Sequence, residues 1–141
     1  MNLNKYTTVK YVDRGRTVPR GCDCWGLARI ILMVEFGWPE LPEFGWVSPS
    51  VQQDMNLAEV KSASLFQVVD RPTAGVMVCV FDSAGNFRHV GVTVIADGIL
   101  SVIHIASRRG VQVPSVRDFE NDYGLTNSRI EYRQLRGNPG L

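Results

Sequence analysis

Apolar residues recur at helical spacing along 24–36, where Leu27, Ala28, Ile31, Leu32, Val34 and Phe36 follow one another by the steps of a single helix face. Asp23 stands before this run as an N-cap and Gly37 behind it as a stop, so the pattern predicts a helix beginning at Cys24. A less regular pattern predicts a second helix over about 50–63, followed by a strand over 65–69 and the turn Asp70-Arg71-Pro72. The second half changes period. β-Branched runs at 75–81, 89–95 and 100–106 are split by Asp82-Ser83-Ala84-Gly85-Asn86 and by Ala96-Asp97-Gly98, which predicts an antiparallel meander. A further strand is predicted over 129–135. Helices first and sheet second make an α+β layout.

Two stretches carry no sustained period. Residues 6–20 hold Gly15, Pro19 and scattered basic residues and read as a loop or short irregular element. Residues 38–49 hold Pro39, Pro42, Gly45 and Pro49 interleaved with Trp38, Phe44 and Trp46, and read as an aromatic loop that covers the core. Arg136 to Leu141 is read as a mobile tail. With 141 residues and no internal repeat, the chain predicts one domain over 1–135.

Charge and composition narrow the classes of partner. Fifteen Lys and Arg against fourteen Asp and Glu leave a net charge of +1, which argues against a nucleic acid held by counterion release. No apolar run approaches the roughly 20 residues that cross a bilayer, so membrane insertion is not expected. Three cysteines, two of them in Cys22-Asp23-Cys24, make no simple disulfide framework and read as reduced thiols. Residues 1–20 hold no apolar segment of signal-peptide length, so the sequence predicts no export of its own.

Candidate chemistry centres on Cys24. At the first turn of the predicted helix it would face unpaired N–H groups and the positive end of the helix dipole, which favour a thiolate with a pKa below the ~8.5 of a free thiol. The same residue also reads as a small buried one, the commoner fate of a lone cysteine. His89 and His104, the chain's two histidines, fall on neighbouring predicted strands. A thiol nucleophile needs a base and a third polar group to orient that base, and Cys24, His89 and His104 supply such a set. Each histidine alone also reads as a core residue satisfied by a backbone carbonyl. Zinc on Cys22, Cys24, His89 and His104 is disfavoured, because one residue between two cysteines makes a poor chelating pair. No cofactor is expected. Cys22 and Cys79 read as structural thiols, and Arg108-Arg109 as a solvated turn.

Three blocks in order then resemble a family: Gly21-Cys22-Asp23-Cys24-Trp25-Gly26-Leu27, Arg88-His89-Val90-Gly91-Val92 and Ile103-His104-Ile105-Ala106-Ser107. They are similar to the motifs of the NlpC-type papain-fold cysteine peptidases, which cut bacterial cell-wall peptides. The resemblance spans about 11–113. Trp25 stands where many cell-wall members have serine, and the D-C-W-G-L form resembles relatives encoded with phage tail genes. Val76 departs from the aspartate usual in the family's G-D-L-V-x-F strand.

The resemblance implies a papain-like α+β fold, with the cysteine-bearing helix packed on an antiparallel sheet. It makes Cys24 the nucleophile, His89 the base and later acid, and His104 the residue that orients His89. Tyr11 matches the place where some members have a tyrosine near the oxyanion. The implied activity is metal-free endopeptidase cleavage of a peptidoglycan stem peptide, with delivery by a virion tail tip in place of a signal peptide and other tail proteins as partners. The alternatives are a tail-assembly or tail-plug protein that uses the fold for docking, and an acyltransferase or amidase on the same scaffold.

Overall fold

In the computed structural model, which describes residues 1–124 and 129–137, the chain runs through twelve helices and strands. These are α1 (Asn4–Thr7), β1 (Arg16–Thr17), β2 (Gly21–Cys22), α2 (Cys24–Phe36), α3 (Gln52–Ser62), β3 (Phe66–Val69), β4 (Met77–Phe81), β5 (Phe87–Ala96), β6 (Ile99–Ala106), β7 (Gly110–Gln112), α4 (Val116–Gly124) and β8 (Arg129–Leu135). A one-turn 3-10 segment, Ala63–Leu65, joins α3 to β3.

β1 and β2 form a small hairpin, and the other six strands form one sheet in the order β3-β8-β4-β5-β6-β7. Every neighbouring pair in it is antiparallel. The predicted meander is β4-β5-β6; the last strand, β8, returns to lie between β3 and β4. The fold is therefore α+β with an antiparallel sheet.

Alternation along β4 explains the layering. Met77, Cys79 and Phe81 enter one apolar cluster with Leu27, Ala28, Ile31 and Leu32 of α2 and Met55 of α3. Val78 and Val80 enter another with Val102, Phe119 of α4 and Tyr132. The central strand is thus buried on both faces, which is why its sequence reads as an unbroken apolar run. α2 and α3 cover one face of the sheet, and α4 covers the other.

Both ends of α2 follow the sequence reading. Asp23 Oδ1 accepts the Gly26 N–H at 2.8 Å, and Gly37 ends the helix in the left-handed conformation at φ 69°. The weaker helix predicted over 50–63 is α3, shorter at each end. Five elements were not predicted: α1 and the β1–β2 hairpin, where 6–20 reads as a loop or short irregular element, and β7 and α4. The aromatic loop does cover the core: Trp38 is buried, and Trp25 Nε1 donates to the Pro42 carbonyl at 3.1 Å. Of the predicted tail, residues 138–141 lie outside the described ones. The Arg136 N–H donates to the Leu65 carbonyl of the 3-10 segment at 2.8 Å. Among the described residues no helix is long and apolar enough to cross a membrane.

Candidate functional site

Cys24 is the first residue of α2, and its neighbours hold that helix start from several sides. Asp23, fully buried, caps the helix through Oδ1, while its Oδ2 accepts the Arg14 N–H at 3.0 Å and pairs with Arg16 Nη1 at 2.7 Å. Arg16 spends its other donors on the carbonyls of Gly15, Glu43, Phe44 and Val47, which ties the aromatic loop to the same point. Gly26 is required by close approach, since a Cβ there would collide with the Gly15 carbonyl oxygen. Together these contacts fix the Cys24 backbone before any chemistry is asked of it.

The two histidines come from strands that part company. The β5–β6 ladder runs from Ala96↔Ile99 to Val92↔Ile103 and stops there, while both strands continue. Beyond that point lies a groove of about 850 Å³ lined by Cys24, His89, Ile105, Ala106, Ser107, Tyr11 and Tyr123, with Asp13, Ser50, Asp82 and Arg88 toward its rim. His89 pairs with Val80 in the β4–β5 register, which puts its side chain on the α4 face. Cys24 approaches from the α2 side, with the N–H groups of Val90 and Trp25 directed at its sulfur. The opening between β5 and β6 is what allows groups from opposite faces of the sheet to share one groove.

His89 Nε2 lies 2.9 Å from His104 Nδ1, with the two rings nearly perpendicular at 85°. This contact leaves Nδ1 as the remaining ring nitrogen of His89. Gly91 makes the room: a Cβ there would sit 3.1 Å from the Cβ of His104 and 2.9 Å from Cγ1 of Val102. On the other side the Tyr123 ring lies parallel to His89, with centroids 5.2 Å apart and planes within 6°. His104 meets Phe119 edge-on at 5.1 Å. Its remaining side faces a second cavity of about 300 Å³ with Arg109, Gln112 and Asp122.

Burial sets the electrostatics, and here the sequence expectation is corrected. The Cys24 thiol is pushed up to about 12, first by desolvation and then by the Asp23 carboxylate; the N–H groups of Val90 and Trp25 and the Arg16 charge only partly offset this. The expected lowering at a helix N-terminus is outweighed because the thiol is taken out of water. His89 is lowered to about 3 by burial and by His104. His104 is lowered to about 4 by burial and Arg109, with Asp122 acting in the opposite sense. At neutral pH the resting site therefore holds an uncharged thiol and two uncharged imidazoles. The Tyr11 hydroxyl, half-buried near Cys24 and Asp23, is raised to about 12 by desolvation and by those charges and stays protonated, able to donate.

The structure thus brings Tyr11, Cys24 and His89 to one groove and sets His104 directly behind His89. Cys22 is elsewhere, its thiol donating to the Thr17 carbonyl at 3.4 Å, and Cys79 is sealed in the core. Among the described residues no group of three or more His, Cys, Asp or Glu is placed to hold a metal ion. Arg16 and Tyr123 were not found from the sequence. Neither a scan against models of known protein families nor a search of curated proteins gives a match. Chemically, the groove holds a thiol at a helix start and a neutral imidazole whose Nε2 is engaged by a second imidazole, with the Tyr11 hydroxyl as a further donor on its wall.

Proposed function

We propose that the protein is a cysteine endopeptidase of the NlpC type, with a papain-like fold, that hydrolyses an amide bond in peptidoglycan stem peptides as part of a phage or prophage tail tip. The observation that carries the reading is that Cys24, at the start of α2, shares one groove with His89, whose other nitrogen is engaged by His104. The three motifs on which the family resemblance rests all contribute to that groove.

In the proposed reaction the Cys24 sulfur attacks the scissile carbonyl as the thiol proton passes to His89 Nδ1. Because burial keeps the thiol protonated at rest, proton transfer accompanies attack and does not precede it. The tetrahedral oxyanion is met by N–H groups at the start of α2 and by the Tyr11 hydroxyl. His89 then gives its proton to the leaving amine nitrogen as the C–N bond breaks, leaving a thioester on Cys24. Water attacks the thioester, His89 takes the water proton, and its return to sulfur frees the carboxylic acid. His104 Nδ1, accepting from His89 Nε2–H, keeps the lone pair of His89 on Nδ1 throughout.

The test is product release from purified peptidoglycan, with fragments identified by mass, for the wild type and Cys24→Ala. The reading expects release by the wild type and none by Cys24→Ala at unchanged melting temperature. Equal release by both would remove Cys24 from the reaction. One observation favours a second reading, a tail-assembly or tail-plug protein that docks through this fold: the thiol is 3% exposed and strongly protonated, as a packing residue would be. Absence of release from every wall preparation, with Cys24→Ala still assembling into tails, would favour it.

A further inference from the structure

The two aromatic rings that meet the histidine pair, Phe119 and Tyr123, are not equivalent. On α4, Phe119 and Tyr123 stand four residues apart and so share a helix face. Phe119 is completely buried and belongs to the apolar cluster under the sheet. Tyr123 is only partly buried; it lines both the main groove and the cavity behind His104 and forms the wall between them. Its ring stacks on Phe119 at 4.5 Å and 28° and on His89 at 5.2 Å and 6°. His104 meets the same phenol edge-on at 5.7 Å.

A single hydrogen bond to His104 leaves the His89 ring able to swing about its Cβ–Cγ bond. Such a swing would drive the imidazole into the ring of Tyr123, which is itself stacked on the fully buried Phe119. We propose that Tyr123 is a positioning residue for His89: its flat face fixes the plane in which the imidazole takes and returns the proton and keeps water from the far side of the ring. This rests on the reading of the groove as a cysteine hydrolase site and adds to it a residue outside the three motifs. A branched aliphatic side chain could fill the same volume but would not present a flat wall. Among the described residues, the charged and titratable groups in the neighbourhood are Cys24 from α2, His104 from β6, Tyr123 and Asp122 from α4, and Arg109 from the turn after β6, with Tyr11, Asp13, Asp82 and Arg88 lining the same groove.

The experiment compares the full chain with Tyr123→Phe and Tyr123→Leu by three readouts: kcat and KM for release from one purified muropeptide, the His89 imidazole titration followed by NMR, and thermal melting. Tyr123→Phe keeps the flat face and should hold kcat within about threefold of wild type. Tyr123→Leu should lower kcat about tenfold or more with KM little changed, since a small misplacement of a base costs rate and not binding. The His89 titration in Tyr123→Leu should also move up toward that of a solvated imidazole. If Tyr123→Leu does not fold, Tyr123→Met, an apolar filler without a flat face, takes its place. Wild-type kcat and an unmoved His89 titration in a folded Leu or Met variant would overturn the proposal, as would equal loss in Tyr123→Phe. If the wild type cleaves no muropeptide, the hydrolase reading fails separately, and the His89 titration still decides whether Tyr123 controls the imidazole.

Discussion

Arg16 Nη1 lies 2.7 Å from Asp23 Oδ2, and the two side chains are 8% and 0% exposed. The pair joins three things that are distant in function: the capped start of α2, the β1–β2 hairpin and the aromatic loop whose Glu43, Phe44 and Val47 carbonyls Arg16 also holds. An aspartate buried this deeply next to a candidate nucleophile is tolerated only because every oxygen is engaged.

Removing one partner should therefore cost far more than removing both. Arg16→Met leaves the Asp23 carboxylate buried and unpaired, and the expected loss is about 3–5 kcal/mol in urea unfolding. The double variant Arg16→Met with Asp23→Asn removes the orphaned charge and should be less destabilised than Arg16→Met alone. A loss of less than about 1 kcal/mol for Arg16→Met would mean that the pair is solvated and the helix start is held by other contacts.

The histidines make stability depend on pH in a window of their own. Both ordinarily titrate at 6.5, and in the folded chain they are lowered to about 3 for His89 and about 4 for His104. Above pH 6.5 both are neutral folded or unfolded. As the pH falls below 6.5 the unfolded chain takes up two protons that the folded chain refuses, so stability drops until the folded values are reached. The slope should approach roughly 1.4 kcal/mol per pH unit for each histidine. Glu35 and Asp82, held below their ordinary 4.5 and 3.8 by their hydrogen bonds, contribute at lower pH. Denaturant unfolding between pH 7 and 5 should show the slope, and His89→Gln with His104→Gln should flatten it. An unchanged slope in the double variant would mean that the two imidazoles are hydrated in the folded state.

Much of this arrangement was legible in the sequence where a local rule governs. α2 was readable from its periodicity, its Asp23 cap and Gly37, and the meander from β-branched runs cut by turn residues. α4 escapes the sequence reading because only Val116, Phe119 and Tyr123 mark its inward face among polar residues, which leaves its Ser115 cap, whose Oγ accepts the Asp118 N–H at 3.1 Å, without an apolar run to precede. Tyr123 was lost with it. Arg16 was lost for another reason: its partners are carbonyls and a carboxylate brought together only by the fold, and no spacing in the sequence encodes them. The Cys24 thiol was misjudged because the sequence shows the helix start and not the depth of burial, and burial is the larger effect.

His104 is expected to act through His89. If His89 Nε2–H donates to His104 Nδ1, any acceptor in the place of Nδ1 should hold the tautomer. His104→Asn carries an oxygen near that place and should keep most of the rate of muropeptide release, His104→Gln less, and His104→Ala should lose on the order of 10²-fold in kcat with KM little changed. Equal rates for the three variants would take His104 out of the site.

Alkylation of the three cysteines separates access from ionisation. Among the described residues Cys24 alone of the three lines the groove, whereas Cys22 and Cys79 are fully buried. Iodoacetamide should therefore modify Cys24 first. Its rate should be slow near neutral pH and climb steadily through pH 10, because the reacting thiolate is a small fraction of a thiol raised to about 12. Peptide mapping after timed quenching gives each rate separately. A Cys24 rate already level below pH 8 would mean that the helix start and the imidazole hold a thiolate against burial, and attack would then begin from an ion pair instead of a neutral thiol. Equal modification of all three cysteines would mean that the thiols react only through unfolding, and the groove would not be open to a substrate of any kind.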